Sequence, residues 1–453
     1  MKSIKSLVIT IVCLFVILIT TWVLIIKFEG GQPIIELKNL SPAISAFSDF
    51  EVSVSDTRSG IREVWIGILK DSKEYILAEE HFSSSISGKG KVQEDTFRVK
   101  VEPKKMGITD GKAILRIAVR DYSWRQWGHG NKAYVEKDVT VDTKRPLIDV
   151  MSKTHNMKQG GTGLIIYRVS EPCKKTGVQV GDNYFPSYSA QKVITYDKNM
   201  YLAFIALSHK QGPETVISVK ATDYAGNETV GRDFSYYIGK SKFKKDTLRI
   251  SDRFLNRILP EFDSEIQRDS NTTMKENFLL VNRGLRSTNY KKFVELAKNS
   301  DDSLHWEGDF QRFRGKPMAG FAEYRNYKYK NEIIDNQVHL GVDIASVARS
   351  PVPAANKGKV VFSEAIGIYG KTVMIDHGFG LFSTYSHLSS LQVKQGEMVP
   401  KGHIIGRTGQ SGLAGGDHLH FGIFIHNTFV NPVEWWDSRW IKNNISDKIN
   451  ELK

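Results

Sequence analysis

Residues 7–26, LVITIVCLFVILITTWVLII, run for twenty positions without a charge. As an α-helix that run is about 30 Å long, enough to cross the hydrocarbon core of a bilayer. Lys2 and Lys5 precede it and Lys27 and Glu29 follow it. The positive-inside tendency therefore favours a cytoplasmic tip and an outward body. A cleaved signal peptide is the rival reading. The run is longer than a signal core, however, and the bulky stretch from Trp22 to Phe28 offers no small-x-small cleavage site. An uncleaved anchor is expected, giving a single-pass protein of the cell (inner) membrane with its body on the periplasmic or extracytoplasmic side.

That body is large. The 453 residues suggest about three domains. The formal net charge of +13 points to anionic surroundings: nucleic acid, lipid headgroups or a wall polymer. No recognisable nucleic-acid module accompanies the charge, so nucleic acid is not an expected partner. Cys13 lies in the apolar run and Cys173 stands alone in the body, so no disulfide joins two soluble segments and no cysteine pair can hold a metal.

From about 33 to 240 short alternating strands follow one another, among them FEVSVSD (50–56), VWIGILK (64–70), AILRIAVRD (113–121) and TVISVKATD (215–223). This spacing reads as β-sandwich modules. A weak duplication supports two: ILRIAVRDYSWRQWGHGN (114–131) and VISVKATDYAGN (216–227) each run from a strand into Asp-Tyr and then a Gly-Asn turn. Arg145-Pro146 marks the join. The modules read either as a docking arm for substrate or a regulatory protein, or as a spacer. Helical patterning takes over at 250–302, with Ser251 as an N-cap and Tyr290, Phe293, Val294 and Ala297 on one stripe. With Trp306, Phe310 and Phe313 this stripe either completes the core of the C-terminal part or packs beside its groove as a cover. β patterning returns from about 305 and holds to 437.

Seven of the twelve histidines lie between 339 and 426. In GGDHLHFGIF (415–424) a strand would put His418 and His420 on one face, with Leu419 and Phe421 on the other. In VHLGVDIA (338–345) either a strand or a helix lets His339 and Asp343 reach a common ion. Mixed His and Asp ligands with an open position are the composition of a catalytic zinc site. YSHL (385–388) ends a further alternating run, with Tyr385 and His387 expected on one side. His377, His403 and His426 fit no ligand pattern and read as turn or surface residues.

His-x-x-x-Asp at 339–343, Tyr-Ser-His-Leu at 385–388 and His-Leu-His-Phe at 418–421 together resemble the lysostaphin/LytM-type zinc metallopeptidases. FAEYR (321–325) resembles that family's lead-in, with Ala322 where glycine is common. The resemblance covers residues 310–437. It implies one zinc ion per chain held by His339, Asp343 and His420. It implies that His387 and His418 are catalytic, orienting or deprotonating the attacking water and stabilising the oxyanion. Tyr385 reads as a packed aromatic. The implied fold is mainly β: a transmembrane helix, two Ig-like β-sandwich modules, a short helical segment and an antiparallel metallopeptidase domain of the duplicated hybrid motif type. The expected segments are 1–30 (tip and anchor), 31–145 and 146–240 (sandwiches), 241–309 (helical linker or cover), 310–437 (metallopeptidase) and 438–453 (tail). The implied activity is a membrane-anchored endopeptidase acting on peptidoglycan. A non-catalytic wall-binding scaffold, or an activator of another wall hydrolase, is the alternative. The filled histidine and aspartate positions favour the enzyme.

Overall fold

A continuous helix, Lys2–Lys27, carries the apolar run, and its side chains from Leu7 to Ile25 are mostly exposed. The computed structural model describes residues 2–85, 88–194, 197–266 and 272–452. The chain divides into two units: Met1–Pro146 with Thr222–Glu228, and Leu147–Ala221 with Thr229–Lys453.

In the first unit two sheets close on one core. One orders Ile34–Lys38, Ser48–Ser55 and Glu94–Val101. The other orders Ala43–Ile44, Lys132–Val141, Gly111–Asp121, Ile61–Lys70 and Lys73–His81. Strand Gly111–Asp121 alternates strictly, burying Ala113, Leu115, Ile117 and Val119, as a half-buried strand must. These meet Phe50, Val52, Val54, Ile66 and Ile68.

The duplication seen in the sequence is a shared device. Asp121 Oδ1 accepts from the Asn131 backbone N–H at 2.7 Å, and Asn131 Nδ2 donates to Asp121 Oδ2 at 2.8 Å. The same amide reaches the carbonyls of Glu29 and Gly31. Asp223 and Asn227 repeat the pairing at 2.8 Å for both bonds, and Asn227 Nδ2 also reaches the carbonyl of Asp142 at 2.8 Å. In each case a buried asparagine ties a turn to a distant segment of backbone.

The second unit joins the expected second sandwich and the metallopeptidase region through one continuous core. Phe204 lies 5.9 Å from Trp435, and the Trp435 indole donates to Thr162 at 3.4 Å. Trp306, Phe310 and Phe313 belong to this core. The helical stripe enters a different one: Phe293 and Ala297 pack with Phe362, Phe424 and Phe429, and Tyr290 donates to the carbonyl of Asn427. Ser251 caps its helix as expected, accepting from the Phe254 N–H at 3.2 Å. The two halves of the apolar surface thus serve opposite faces of one large sheet.

That sheet is eight-stranded. Its order is Lys316–Ala319, Val342–Ala345, Leu419–Ile425, Leu381–Leu388, Gly370–Asp376, Gly358–Ile366 and Met398–Val399, with Thr428–Val430 pairing Leu419–Ile425. Leu419–Ile425 pairs antiparallel with both Val342–Ala345 and Leu381–Leu388. A smaller sheet of Lys245–Ile250, Glu323–Tyr329 and Glu332–His339 stands beside it.

Candidate functional site

Strand register brings the site together. Asp343 lies directly opposite His420, and Ser386 lies opposite His420 on its other side. His339 ends strand Glu332–His339 of the smaller sheet, and the chain enters the eight-stranded sheet at Val342, so neither a single strand nor a helix spans 338–345. His339 Nε2, Asp343 Oδ1 and His420 Nδ1 are mutually 2.9 Å apart. All three residues are buried, at the floor of a groove of about 540 Å³.

The donor atoms of this triangle suit a cation. His339 Nδ1 faces the Gly320 carbonyl at 2.9 Å, and a carbonyl can only accept. A neutral His339 therefore turns the Nε2 lone pair towards the Asp343 carboxylate oxygen. Ligand atoms around a tetrahedral zinc ion with bonds of ~2.0–2.1 Å stand about 3.3 Å apart, a little wider than this triangle. Two imidazole nitrogens and one carboxylate oxygen fit such an ion. His420 Nε2 is buried and has no hydrogen-bond partner among the described residues. Its ring is admitted by Gly341, where a Cβ would stand 2.6 Å from Nε2.

Burial opposes ionisation of Asp343, but the adjoining His339, His418 and His420 hold its carboxyl well below the usual range. Burial pushes His420 down to about 4. His387 is also lowered well below the imidazole range, by burial and by the neighbouring His418 and His420. For His418 burial pulls downward, yet the contact with Asp343 outweighs it and the net shift is upward.

His387 and His418 flank the triangle with ring centroids 4.8 Å apart. His418 Nδ1 donates to the Gly416 carbonyl at 2.8 Å, leaving Nε2 3.5 Å from Asp343 Oδ1. His387 Nδ1 donates to the Ser411 carbonyl at 2.8 Å. His418 and His420 share a face as expected, while Leu419 and Phe421 enter the core.

The expected grouping of Tyr385 with His387 does not hold. Tyr385 is buried against Phe421, and its hydroxyl accepts from the Ala355 N–H at 2.6 Å. His387 has φ of 61°, and the pairing with Gly370–Asp376 is irregular between Lys371 and Val373. This left-handed step turns His387 out of the strand alternation and onto the groove side. His377 and His426, read as turn or surface residues, are buried. His377 bonds the Lys357 carbonyl and Ser383, while His426 sits in the turn after Leu419–Ile425. His403 is exposed.

Two groove residues escaped the motif reading. Arg325 Nη2 bonds Asp343 Oδ2 at 2.9 Å, and its Nε reaches Glu323 at 3.2 Å. Tyr369 stands with its ring 5.6 Å from that of His420, its hydroxyl pushed up to about 12 by burial. The alternation of Glu323 and Arg325 within the quoted lead-in was the available signal for the first. Tyr369 lies on a short turn with no pattern around it. Phe254, Phe278 and Arg286 of the helical segment also line the groove.

The Peptidase family M23 profile matches residues 337–432. The chain is 39% identical over 97 residues to the DD-carboxypeptidase/endopeptidase Mpg of Neisseria meningitidis, covering 21% of this chain and 22% of that protein. It is 34% identical over 160 residues to the peptidoglycan DD-endopeptidase ShyA of Vibrio cholerae, covering 34% and 36% respectively. The crystallised catalytic domain of lysostaphin from Staphylococcus simulans matches 27% of this chain and 92% of its own length, at 28% identity and a TM-score of 0.24. The chain thus spans from about a fifth to about a third of the length of these curated relatives. The part of the chain that holds His339, Asp343 and His420 thus matches peptidase family M23, a family of zinc metallopeptidases.

Proposed function

We propose that this protein is a membrane-anchored zinc endopeptidase that hydrolyses peptide bonds in the cross-links or stem peptides of peptidoglycan. The carrying observation is the convergence of His339 Nε2, Asp343 Oδ1 and His420 Nδ1 at 2.9 Å separations on the floor of an open groove. One zinc ion held by these three residues would supply Lewis acidity to a scissile carbonyl and lower the pKa of a water towards neutrality. The remaining work belongs to the chain. His387 and His418 each commit Nδ1 to a backbone carbonyl, so each turns Nε2 towards the groove. Between them they orient the attacking water, take its proton and steady the developing oxyanion. Arg325 holds Oδ2 of Asp343 so that Oδ1 faces the site.

The names of the Neisseria and Vibrio relatives support peptidoglycan as the substrate class. Helix Lys2–Lys27, with an apolar span of 20 residues from Ser6 to Ile25, supports retention in the cell membrane with the body outside. Residues 31–145 and 146–240 act as Ig-like arms that dock substrate or a regulatory protein. Segment 241–309 limits access to the groove that its own side chains line.

Purified sacculi incubated with the full-length protein in detergent, with and without a zinc chelator, test the reading. Mass spectrometry of the soluble fragments should show chelator-sensitive cleavage of peptide bonds. A fragment profile unchanged by zinc-loaded protein would sink it.

A further inference from the structure

The loop 122–131 of the first unit is clamped to the exit of the apolar helix. The Trp124 N–H donates to the Lys27 carbonyl at 2.7 Å, and Arg125 Nε donates to the Phe28 carbonyl at 3.1 Å. Asn131 Nδ2 donates to the carbonyls of Glu29 and Gly31 at 3.2 and 2.8 Å. These bonds fix the loop beside the residues that leave the helix. The Phe28 and Trp124 rings meet edge to face at 6.0 Å, and the Lys27 ammonium stands 5.9 Å from the Trp124 ring.

The loop then does something unfavourable for a water-facing turn. Gln126 and Trp127 both adopt left-handed backbone, with φ of 48° and 59°. Non-glycine residues seldom do this, and two in succession are rarer. The result is an indole with 101% exposure at Trp127, beside Trp124 at 44% and Phe28 at 47%. The loop is rigid at its base, since Arg62 Nη1 donates to the Gly128 carbonyl at 2.8 Å and Asp121 binds both ends of the turn. It holds the indole out. Arg58, Lys89 and Arg125 lie around this end of the unit: Arg58 pairs with Glu29, and Lys89 bonds the Thr57 carbonyl.

We infer that this loop is a membrane-surface foot: Trp124 and Trp127 seat in the interfacial layer of the bilayer that the helix crosses, with Lys27 and Arg125 against lipid phosphates. The inference rests on the anchor reading of helix Lys2–Lys27. Tryptophan suits this layer, because its ring is apolar and its N–H finds polar headgroups. Trp127 is three residues beyond Trp124 and so within about 10 Å of the helix exit, comparable with the depth of the headgroup zone. The foot would fix the angle at which the first unit leaves the membrane, where a lone helix and a flexible joint would not.

Spin-label depth measurements on the full chain in bilayers of zwitterionic and anionic lipid test this. Native Cys13, labelled in a Cys173→Ser background, reports the span. Trp127→Cys, with Cys13 and Cys173 both changed to serine, reports the foot. Lys112→Cys in that background is the water reference, since Lys112 lies at the far end of strand Gly111–Asp121, about 30 Å from the loop. The expected result is a Cys13 label open to oxygen and closed to a water-soluble nickel chelate. The Trp127 label should be several-fold less accessible to nickel than the Lys112 label and more accessible to oxygen. Equal nickel access at 127 and 112, with Cys13 in lipid, overturns the foot and leaves the anchor standing. A Cys13 label in water overturns the anchor and the foot with it. A 127 label shielded from both reagents means that protein covers the loop, and also overturns the inference.

Discussion

Arg325 Nη2 holds Asp343 Oδ2 at 2.9 Å while Oδ1 of the same carboxylate faces His339 and His420. One oxygen is thus fixed from outside and the other is left for the site. Outer partners of this kind orient ligands and tune their basicity, and losing one typically weakens metal binding about 10- to 100-fold. Arg325→Ala should weaken zinc binding by that factor with the domain still folded. Competition against a chromophoric chelator measures it, and unchanged affinity would remove Arg325 from the site.

Ligand and catalytic roles separate by substitution. Asp343→Ala should abolish stoichiometric zinc by metal analysis. His387→Ala and His418→Ala should each retain zinc and lose turnover by about 10²-fold or more on purified wall. Full zinc in the Asp343 variant, or wild-type turnover in either histidine variant, contradicts the assignment concerned.

Gly341→Ala is the sharpest steric probe. Its Cβ would meet the His420 ring at 2.6 Å and the Phe421 carbonyl oxygen at 2.8 Å, so ring or backbone must shift. The metal site requires ligand atoms placed to within about 0.5 Å. Zinc content should fall well below one per chain in a protein that retains its β-rich circular dichroism. Full occupancy would mean that the floor of the groove is softer than its packing suggests.

Stability should carry a pH signature from Glu434. Burial pushes its carboxyl up from 4.5 to about 7, while the Thr162 N–H, donating at 2.9 Å, partly offsets that rise. The folded chain then holds a proton that the unfolded chain releases near its ordinary value. The associated stability is fully present below about pH 4.5 and is lost as pH rises through about 7, amounting to roughly 3 kcal/mol at most. Glu434→Gln should flatten this difference between pH 5 and pH 8, read as the change in urea midpoint relative to wild type. Parallel pH profiles for the two proteins would refute it.

The asparagine clasps should matter to the first unit. Asn131→Ala and Asn227→Ala each remove an amide bonded to an aspartate and to distant backbone. Each leaves buried acceptors behind, a loss of about 1–3 kcal/mol. Thermal unfolding of the two variants should show lowered midpoints, and an unchanged midpoint in either would make that clasp dispensable.

The triangle was legible because its residues are of rare type and arrive in a recognised order. His418 and His420 also obeyed strand alternation. His387 did not: alternation assigns it to Tyr385's side, and only a left-handed backbone, invisible in a run such as LFSTYSHL, moves it across. The apolar stretch from Tyr290 to Phe313 read as one surface because it is contiguous in sequence. Its halves part at the loop near 300, Phe293 joining Phe424 and Phe310 joining Trp435. Arg325 is an ordinary charge on an ordinary strand, and only the register with Glu332–His339 carries it to Asp343.

Three of the four histidines in the groove have their proton placed by a main-chain oxygen: His339 by Gly320, His387 by Ser411 and His418 by Gly416. Every amino acid brings that oxygen. Exchanging the side chain at 320, 411 or 416 cannot delete the acceptor, and disturbs it only by re-routing the loop. Tautomer choice in this groove is therefore buffered against point mutation, while the orientation of Asp343 hangs on a single arginine that one codon change removes.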